Sequence, residues 1–178
     1  MKTIQLKDKT FRINFTSEEI LKQVNRVASE IDRDYADKTP LIIVVLNGAF
    51  MFASDLMKAM DINCEISFVK LSSYEGTQST EKVKEIIGLN QNIEGREIII
   101  VEDIVDTGIT MENLLADLHK MKPNSIRVAT LLFKPESFRK DFKIDYIGLS
   151  IPNDFIVGYG LDYDQLGRNL SDIYIITE

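Results

Sequence analysis

The run Leu41-Ile42-Ile43-Val44-Val45-Leu46 constrains the fold of this chain more than any other feature. It is apolar throughout, so a strand made from it has no face to offer water. Strands of that kind are covered on both sides, and the usual arrangement is a parallel sheet with helices packed on either face. The run stops at Asn47-Gly48-Ala49, and Ala49 to Met60 then reads as a helix. Strand, tight glycine turn and helix open a βαβ unit. Glu97-Ile98-Ile99-Ile100-Val101 is a second buried-type strand, Ile126 to Phe133 a third and Tyr146 to Ile151 a fourth. Ile66 to Leu71 also reads as a strand, Phe155 to Tyr159 as a short apolar stretch, and Ile173 to Ile176 as a last strand.

Helices fall between these strands. At Phe15-Thr16-Ser17-Glu18-Glu19-Ile20, Thr16 caps while Glu19 reaches back, and Phe15 and Ile20 have the spacing of a hydrophobic staple. Apolar residues at Ile20, Leu21, Val24, Val27, Ala28 and Ile31 keep helical spacing. Met111 to Met121 is helical, with Leu114, Leu115, Leu118 and Met121 on one side, and Pro123-Asn124 breaks it. Strands alternating with helices predict an α/β fold with a mainly parallel sheet. Ligands in such folds bind at the carboxyl ends of the strands, so the residues just after each strand matter most.

A length of 178 residues suits one domain with a core that needs no staples. Lys and Arg number 21 against 28 Asp and Glu, a net charge of −7 that argues against holding nucleic acid by the overall field. Cys64 is the sole cysteine, which excludes an internal disulfide and fits a reducing, cytoplasmic setting. No run approaches the ~18–20 apolar residues of a membrane span, and the start lacks the apolar block of a signal peptide. His119 is the only histidine, which argues against a His-rich metal site or a Ser-His relay. His119, Cys64 and the short basic patch Arg139-Lys140 with Lys143 read as structural or solvated.

The chemistry gathers at Glu102 to Thr110. Glu102 and Asp103 sit where a strand ends, Asp106 lies on the following turn, and Thr107-Gly108-Ile109-Thr110 leads into a helix. A helix N-terminus offers N–H groups and a positive dipole end, and both favour a phosphate. Gly108 lets the backbone come close, and the Thr107 and Thr110 hydroxyls can donate. Glu102 and Asp103 would then face a polyol or hydrated Mg²⁺. A lone Asp-x-Gly turn is more often only a capped connection, with Asp106 or Thr107 as the cap. Two adjacent acids after a buried strand are not required by such a turn. Neither a Walker P-loop nor a dinucleotide-binding Gly-x-Gly-x-x-Gly is present.

Val101-Glu102-Asp103-Ile104-Val105-Asp106-Thr107-Gly108-Ile109-Thr110 resembles the phosphoribosyl-pyrophosphate motif of the type I phosphoribosyltransferases. The acid at Asp106 resembles the hypoxanthine-guanine (6-oxopurine) branch. Leu46-Asn47-Gly48-Ala49 resembles the family's pyrophosphate loop, and Ser73-Tyr74 the pair on its mobile lid, here about 72–86. Lys134 stands where the family has its base-reading lysine. The segment from Ile151 to Tyr163, with Phe155, Ile156 and Asp162, resembles its purine-binding segment, and Arg168 its pyrophosphate-contacting arginine. These motifs occur in order over nearly the whole chain.

The resemblance implies a single phosphoribosyltransferase domain over 1–178. Its hood would come from the N-terminal segment and about 134–178. It implies transfer of a phosphoribosyl group from phosphoribosyl pyrophosphate to a 6-oxopurine base, with Mg²⁺, in a homodimer or homotetramer. Asp106 would exchange the purine N7 proton as general acid/base, with Glu102 and Asp103 raising its pKa. Residues 106–110 would hold the 5′-phosphate, and Asn47, Gly48 and Arg168 the pyrophosphate. Lys134 would donate to the 6-oxo group, Phe155 would stack on the base, and the Ile156 carbonyl would accept from the ring N–H. Glu102, Asp103 and Asp162 would be the Mg²⁺ ligands. Asn47 and Ile109 depart from the lysines that many members have at those positions, which leaves Ile109 only its backbone N–H for phosphate. The resemblance also implies a cis peptide at Leu46–Asn47. A second reading is a regulator of the same fold that senses phosphoribosyl pyrophosphate and binds RNA or DNA.

Overall fold

The computed structural model describes residues 3–73 and 84–177, with side chains described for 3–71 and 88–177. Strand β1 (Thr3–Leu6) and β2 (Lys9–Phe15) precede helix α1 (Ser17–Asp34). Then come β3 (Leu41–Leu46), α2 (Phe50–Ala59), β4 (Glu65–Ser73), β5 (Lys84–Ile87), β6 (Glu97–Val105) and α3 (Ile109–Lys120). The chain ends with β7 (Ser125–Phe133), β8 (Tyr146–Ser150), β9 (Ile156–Val157) and β10 (Ile173–Ile176).

The main sheet has the order β5-β4-β3-β6-β7-β8. Its strands β4, β3, β6, β7 and β8 are parallel, and β5 joins antiparallel at the β4 edge. The apolar run of β3 is explained by what covers it. Ile42 and Val44 face one core with residues of α1 and α2, whereas Leu41, Ile43 and Val45 face a second core with Met111, Leu114 and Leu118 of α3. Burying each such side chain contributes about 1.5–3 kcal/mol, and both faces collect it.

Helix α1 starts as its sequence predicts. The Thr16 side chain accepts from the Glu19 N–H, and the Glu19 carboxylate accepts from the Thr16 N–H at 2.8 Å. Phe15 packs against the core that holds Ile20.

Two strand ends near the site and the first hairpin depart from the sequence reading. β6 runs on to Val105, so Glu102 and Asp103 lie within the strand and not after it. The reason is β7, which pairs with β6 as far as Val105↔Phe133. β4 likewise runs on to Ser73 because β5 pairs with it, Ser73 opposite Lys84. The ends of the expected 72–86 loop are therefore ladder-bonded, while Tyr74 and the rest of that lid to residue 83 lie outside the described residues. At the start, the polar–apolar alternation makes a hairpin of β1 and β2, turning at Lys7 with φ +51°. Together with β10 and β9 it forms a second sheet, β1-β2-β10-β9, around Phe11, Val157 and Tyr174.

The main sheet positions the site. From β3 the chain passes through α2 to β4 on one side, and from β6 through α3 to β7 on the other. The connections diverge between β3 and β6, which is the switch point where such sheets open a crevice. β3 and β6 pair only from Leu41↔Ile98 to Val44↔Val101. Beyond that the two strand ends separate, one carrying Leu46–Gly48 and the other Glu102–Asp106.

Candidate active site

Three contiguous concavities occupy that crevice. One lies over the turn from Asp106 to Met111 and reaches Glu102. The second is bounded by Leu46, Gly48, Glu102, Asp103, Asp162 and Arg168. The third is bounded by Asp106, Lys134, Phe155, Ile156, Leu161 and Arg168. Asp103, Asp162 and Arg168 line both of the last two, so these are lobes of one cleft.

The first lobe is built on the N-terminus of α3. Its cap is Gly108, in the left-handed region at φ +84°, and no side chain caps the helix. Neither Asp106 nor Thr107 is the cap. Thr107 Oγ1 instead accepts the Ile109 N–H at 3.4 Å. A Cβ at Gly108 would stand 2.7 Å from the Phe138 ring and 2.9 Å from the Lys140 stem, so glycine is required both by φ and by space. The helix end therefore turns N–H groups and its dipole toward the crevice, a site for an anion.

The second lobe holds the acids. Glu102 is buried, and its Oε1 accepts the Asp103 N–H at 3.1 Å. Asp103 Oδ1 accepts the Ile104 N–H at 2.7 Å. Burial pushes the Glu102 carboxyl well above its ordinary value, and the adjacent Asp103 charge adds to this. Gly48 lies against Asp103, where a Cβ would fall on Oδ2. The Leu46–Asn47 peptide is cis, as the resemblance implies. Asn47 is exposed, and Ile109 is 51% exposed. Arg168 Nη2 pairs with Asp162 Oδ1 at 2.6 Å, and Nη1 donates to the Gly160 carbonyl at 2.7 Å. Asp162 Oδ2 accepts the Gln165 N–H at 2.8 Å.

The third lobe joins a charge pair to an aromatic face. Lys134, directly after β7, is 8% exposed, and its Nζ donates to Asp106 Oδ2 at 3.3 Å. The charged neighbour of Asp106 in the structure is thus this ammonium, while Glu102 and Asp103 pair with each other. Phe155 is 45% exposed and rests on Phe11 and Tyr163, with ring centroids 6.3 and 5.9 Å away. Tyr163 is held in turn by Asp8 of the β1–β2 turn, 2.8 Å from its hydroxyl.

Sequence reasoning passed over several residues here. Ile104 and Leu161 supply apolar wall. Gly160, at φ +99°, lies where a Cβ would fall on the Gly48 carbonyl. The Gly-Tyr-Gly at 158–160 was a legible sign of unusual backbone, but its contact with residue 48 was not. Ser73 and Tyr74 contribute no described side chain. Lys140 of the basic patch pairs with Glu112 of α3 at 2.6 Å, and His119 Nδ1 lies 2.6 Å from the Leu115 carbonyl.

Residues 15–164 match the family described as the phosphoribosyl transferase domain. A hypoxanthine-guanine phosphoribosyltransferase of Streptococcus pyogenes is 42% identical over 168 residues, 94% of this chain and 93% of that protein. The chain belongs to the phosphoribosyltransferase family. Two solved structures agree in fold. A hypoxanthine-guanine phosphoribosyltransferase of Bacillus anthracis superposes with a TM-score of 0.84 at 35% identity, covering 94% of this chain and 97% of that one. A hypoxanthine phosphoribosyltransferase of Trypanosoma cruzi, solved as a ternary substrates complex, gives 0.86 at 36% identity over 93% and 94%. Within the phosphoribosyltransferases the chain stands with the hypoxanthine-guanine enzymes.

Proposed function

We propose that this phosphoribosyltransferase serves purine salvage, moving the 5-phosphoribosyl group of phosphoribosyl pyrophosphate to N9 of hypoxanthine or guanine. The C1–O bond to pyrophosphate breaks, the C1–N9 bond forms, and the base loses one proton. The observation that carries the reading is the Lys134–Asp106 contact of 3.3 Å beside the exposed Phe155 ring. A 6-oxopurine presents O6 and N7 next to each other on one edge. Lys134 donates to O6 while Asp106 takes the proton from N7 as N9 attacks, a general-base role. Adenine carries an amine at that position and offers the buried ammonium no acceptor on the base, which is a strong basis for rejection. Phe155 stacks on the ring, and the Ile156 carbonyl accepts from its N–H.

The 5′-phosphate belongs on residues 106–110, where Ile109 offers backbone only. Pyrophosphate belongs on Gly48, Asn47 and Arg168. Leaving-group charge is met by groups already held in place, since Arg168 is fixed by Asp162 and Gly160. The acids fit Mg²⁺ by their chemistry. Among the described residues no cluster of three metal-binding side chains occurs, and Mg²⁺ is usually held by one or two carboxylates plus substrate phosphates and water. Glu102 and Asp103 would hold it on the ribose side and Asp162 on the pyrophosphate side. Bound there, Mg²⁺ supplies positive charge to the pyrophosphate oxygens. The reading places the enzyme in the cytoplasm, as a homodimer or homotetramer.

The test is nucleotide formation from phosphoribosyl pyrophosphate and Mg²⁺ with each purine base supplied separately. IMP from hypoxanthine or GMP from guanine, with adenine left unused, is the expected result. Tight binding of phosphoribosyl pyrophosphate without turnover of any base would overturn it and favour a regulator.

A further inference from the structure

We infer that Tyr159 and Asp55 act as a positioning pair for the pyrophosphate side of the cleft, working through Gly160 and Arg168. The inference rests on the reading of Arg168 as a pyrophosphate ligand and adds residues that touch no substrate. Tyr159 is 2% exposed and lies at φ +49°, between Gly158 and Gly160 at φ +98° and +99°. A bulky residue in the left-handed region is a genuine outlier, so something specific must hold it there. The hydroxyl is that hold, donating to Asp55 Oδ2 of α2 at 2.6 Å. Burial, the hydrogen bond and the carboxylate charge push the phenol well above its usual range, so it remains a donor.

Both ends of this bond lead to the cleft. Asp55 lies on the helix that begins directly after the Leu46–Ala49 turn. On the other side, the Tyr159 N–H donates to the Leu170 carbonyl at 2.8 Å and the Gly160 N–H to the Arg168 carbonyl at 3.0 Å. The Gly160 carbonyl then accepts Arg168 Nη1, and its Cα backs onto the Gly48 carbonyl. The pair therefore ties α2 to Gly160, whose backbone touches both Gly48 and the Arg168 guanidinium. If the tie is cut, Gly160 shifts, and Arg168 and the Gly48 amide lose register with the same ligand. The base lobe shares Arg168 as a border but takes its base-facing groups, Lys134 and the Phe11–Phe155–Tyr163 rings, from other elements, so it is the less affected.

Steady-state kinetics of the full chain test this with Tyr159→Phe, Asp55→Ala and Asp55→Asn. Alanine is the best helix former and suits position 55, so Asp55→Ala keeps the test decisive if Tyr159→Phe folds poorly. Tyr159→Phe and Asp55→Ala are expected to raise KM for phosphoribosyl pyrophosphate about three- to tenfold. KM for hypoxanthine stays within about twofold, and Asp55→Asn, which keeps an acceptor oxygen, stays near the parent. In an Arg168→Ala background, Tyr159→Phe adds less than about twofold, because the pair acts through Arg168. A parallel rise of both KM values, or a full multiplicative effect in that background, would overturn the inference. Arg168→Ala raising KM while Tyr159→Phe does not would sink the pair alone. Arg168→Ala without effect would sink the reading of Arg168 itself.

Discussion

Lys134 Nζ stands 3.3 Å from Asp106 Oδ2 and joins the end of β7 to the turn after β6. The lysine is buried and the aspartate half exposed, so the ammonium has this carboxylate as its charge partner until a base enters. Asp106→Asn keeps the shape and removes the base. Turnover is expected to fall about 10²–10⁴-fold with KM for phosphoribosyl pyrophosphate little changed. Single-turnover kinetics beside a binding titration separate the two, and an active Asp106→Asn enzyme would remove Asp106 from the chemistry.

On the proposed function, Lys134→Ala deletes the donor to the 6-oxo group. A charge-assisted hydrogen bond of this kind corresponds to about 10- to 100-fold in affinity for hypoxanthine. The affinity for phosphoribosyl pyrophosphate changes far less. Equal losses of both, measured by initial rates with each substrate varied in turn, would contradict the base-reading role.

Phe155 reaches the cleft because Phe11 is fully buried beneath it and Tyr163 meets it edge-on. Phe155→Ala removes the stacking face and is expected to raise KM for the base about tenfold. Leucine at 155 restores part of the contact. The same loss for both variants would argue that the ring packs the hood and does not touch the base.

Gly48→Ala puts a Cβ onto the Asp103 carboxylate. The carboxylate is the end of a side chain and can swing away, so stability falls by only about 1–3 kcal/mol, as for other overpacked sites. Activity suffers more, by about 10²-fold, because Asp103 and the residue 48 amide both leave their places. Thermal melting together with kcat/KM distinguishes this from simple unfolding.

Glu102 gives the fold a pH dependence of known sign. Its folded pKa lies well above the ordinary 4.5, so the native state keeps a proton that the unfolded chain releases. Stability therefore declines as pH rises from about 4.5 through the folded pKa and then levels off, by about 1.4 kcal/mol for each unit of elevation. Glu102→Gln removes that slope. Urea unfolding at pH 5 and pH 8 is expected to show the variant gaining on the parent only at the higher pH, while its turnover falls.

Much of the molecule was legible because the signals are local. The capping box at Thr16 and Glu19 needs four neighbouring residues, and the apolar runs of β3 and β6 state their own burial. The hairpin of β1 and β2 was harder. Its strands are short and half exposed, and they need β10 beside them to become a sheet. The extension of β6 through Glu102 and Asp103 was illegible for a similar reason, since two acids look like a strand end until β7 supplies the ladder.

The sequence by itself determined the α/β class, the alternation of buried strands with helices and the turn from Asp106 to Thr110 that leads into α3. Those follow from residues that are neighbours along the chain. Only the tertiary structure decided that residues 48, 103 and 168 share one lobe, that Gly160 meets Gly48 and Arg168, and that Lys134 faces Asp106. It also decided that Asp8 of the first hairpin steadies Tyr163 behind Phe155. The physical reason is that close approach of backbone segments far apart in sequence depends on sheet order and on left-handed residues such as Tyr159 and Gly160. No local pattern encodes which distant segment lies opposite.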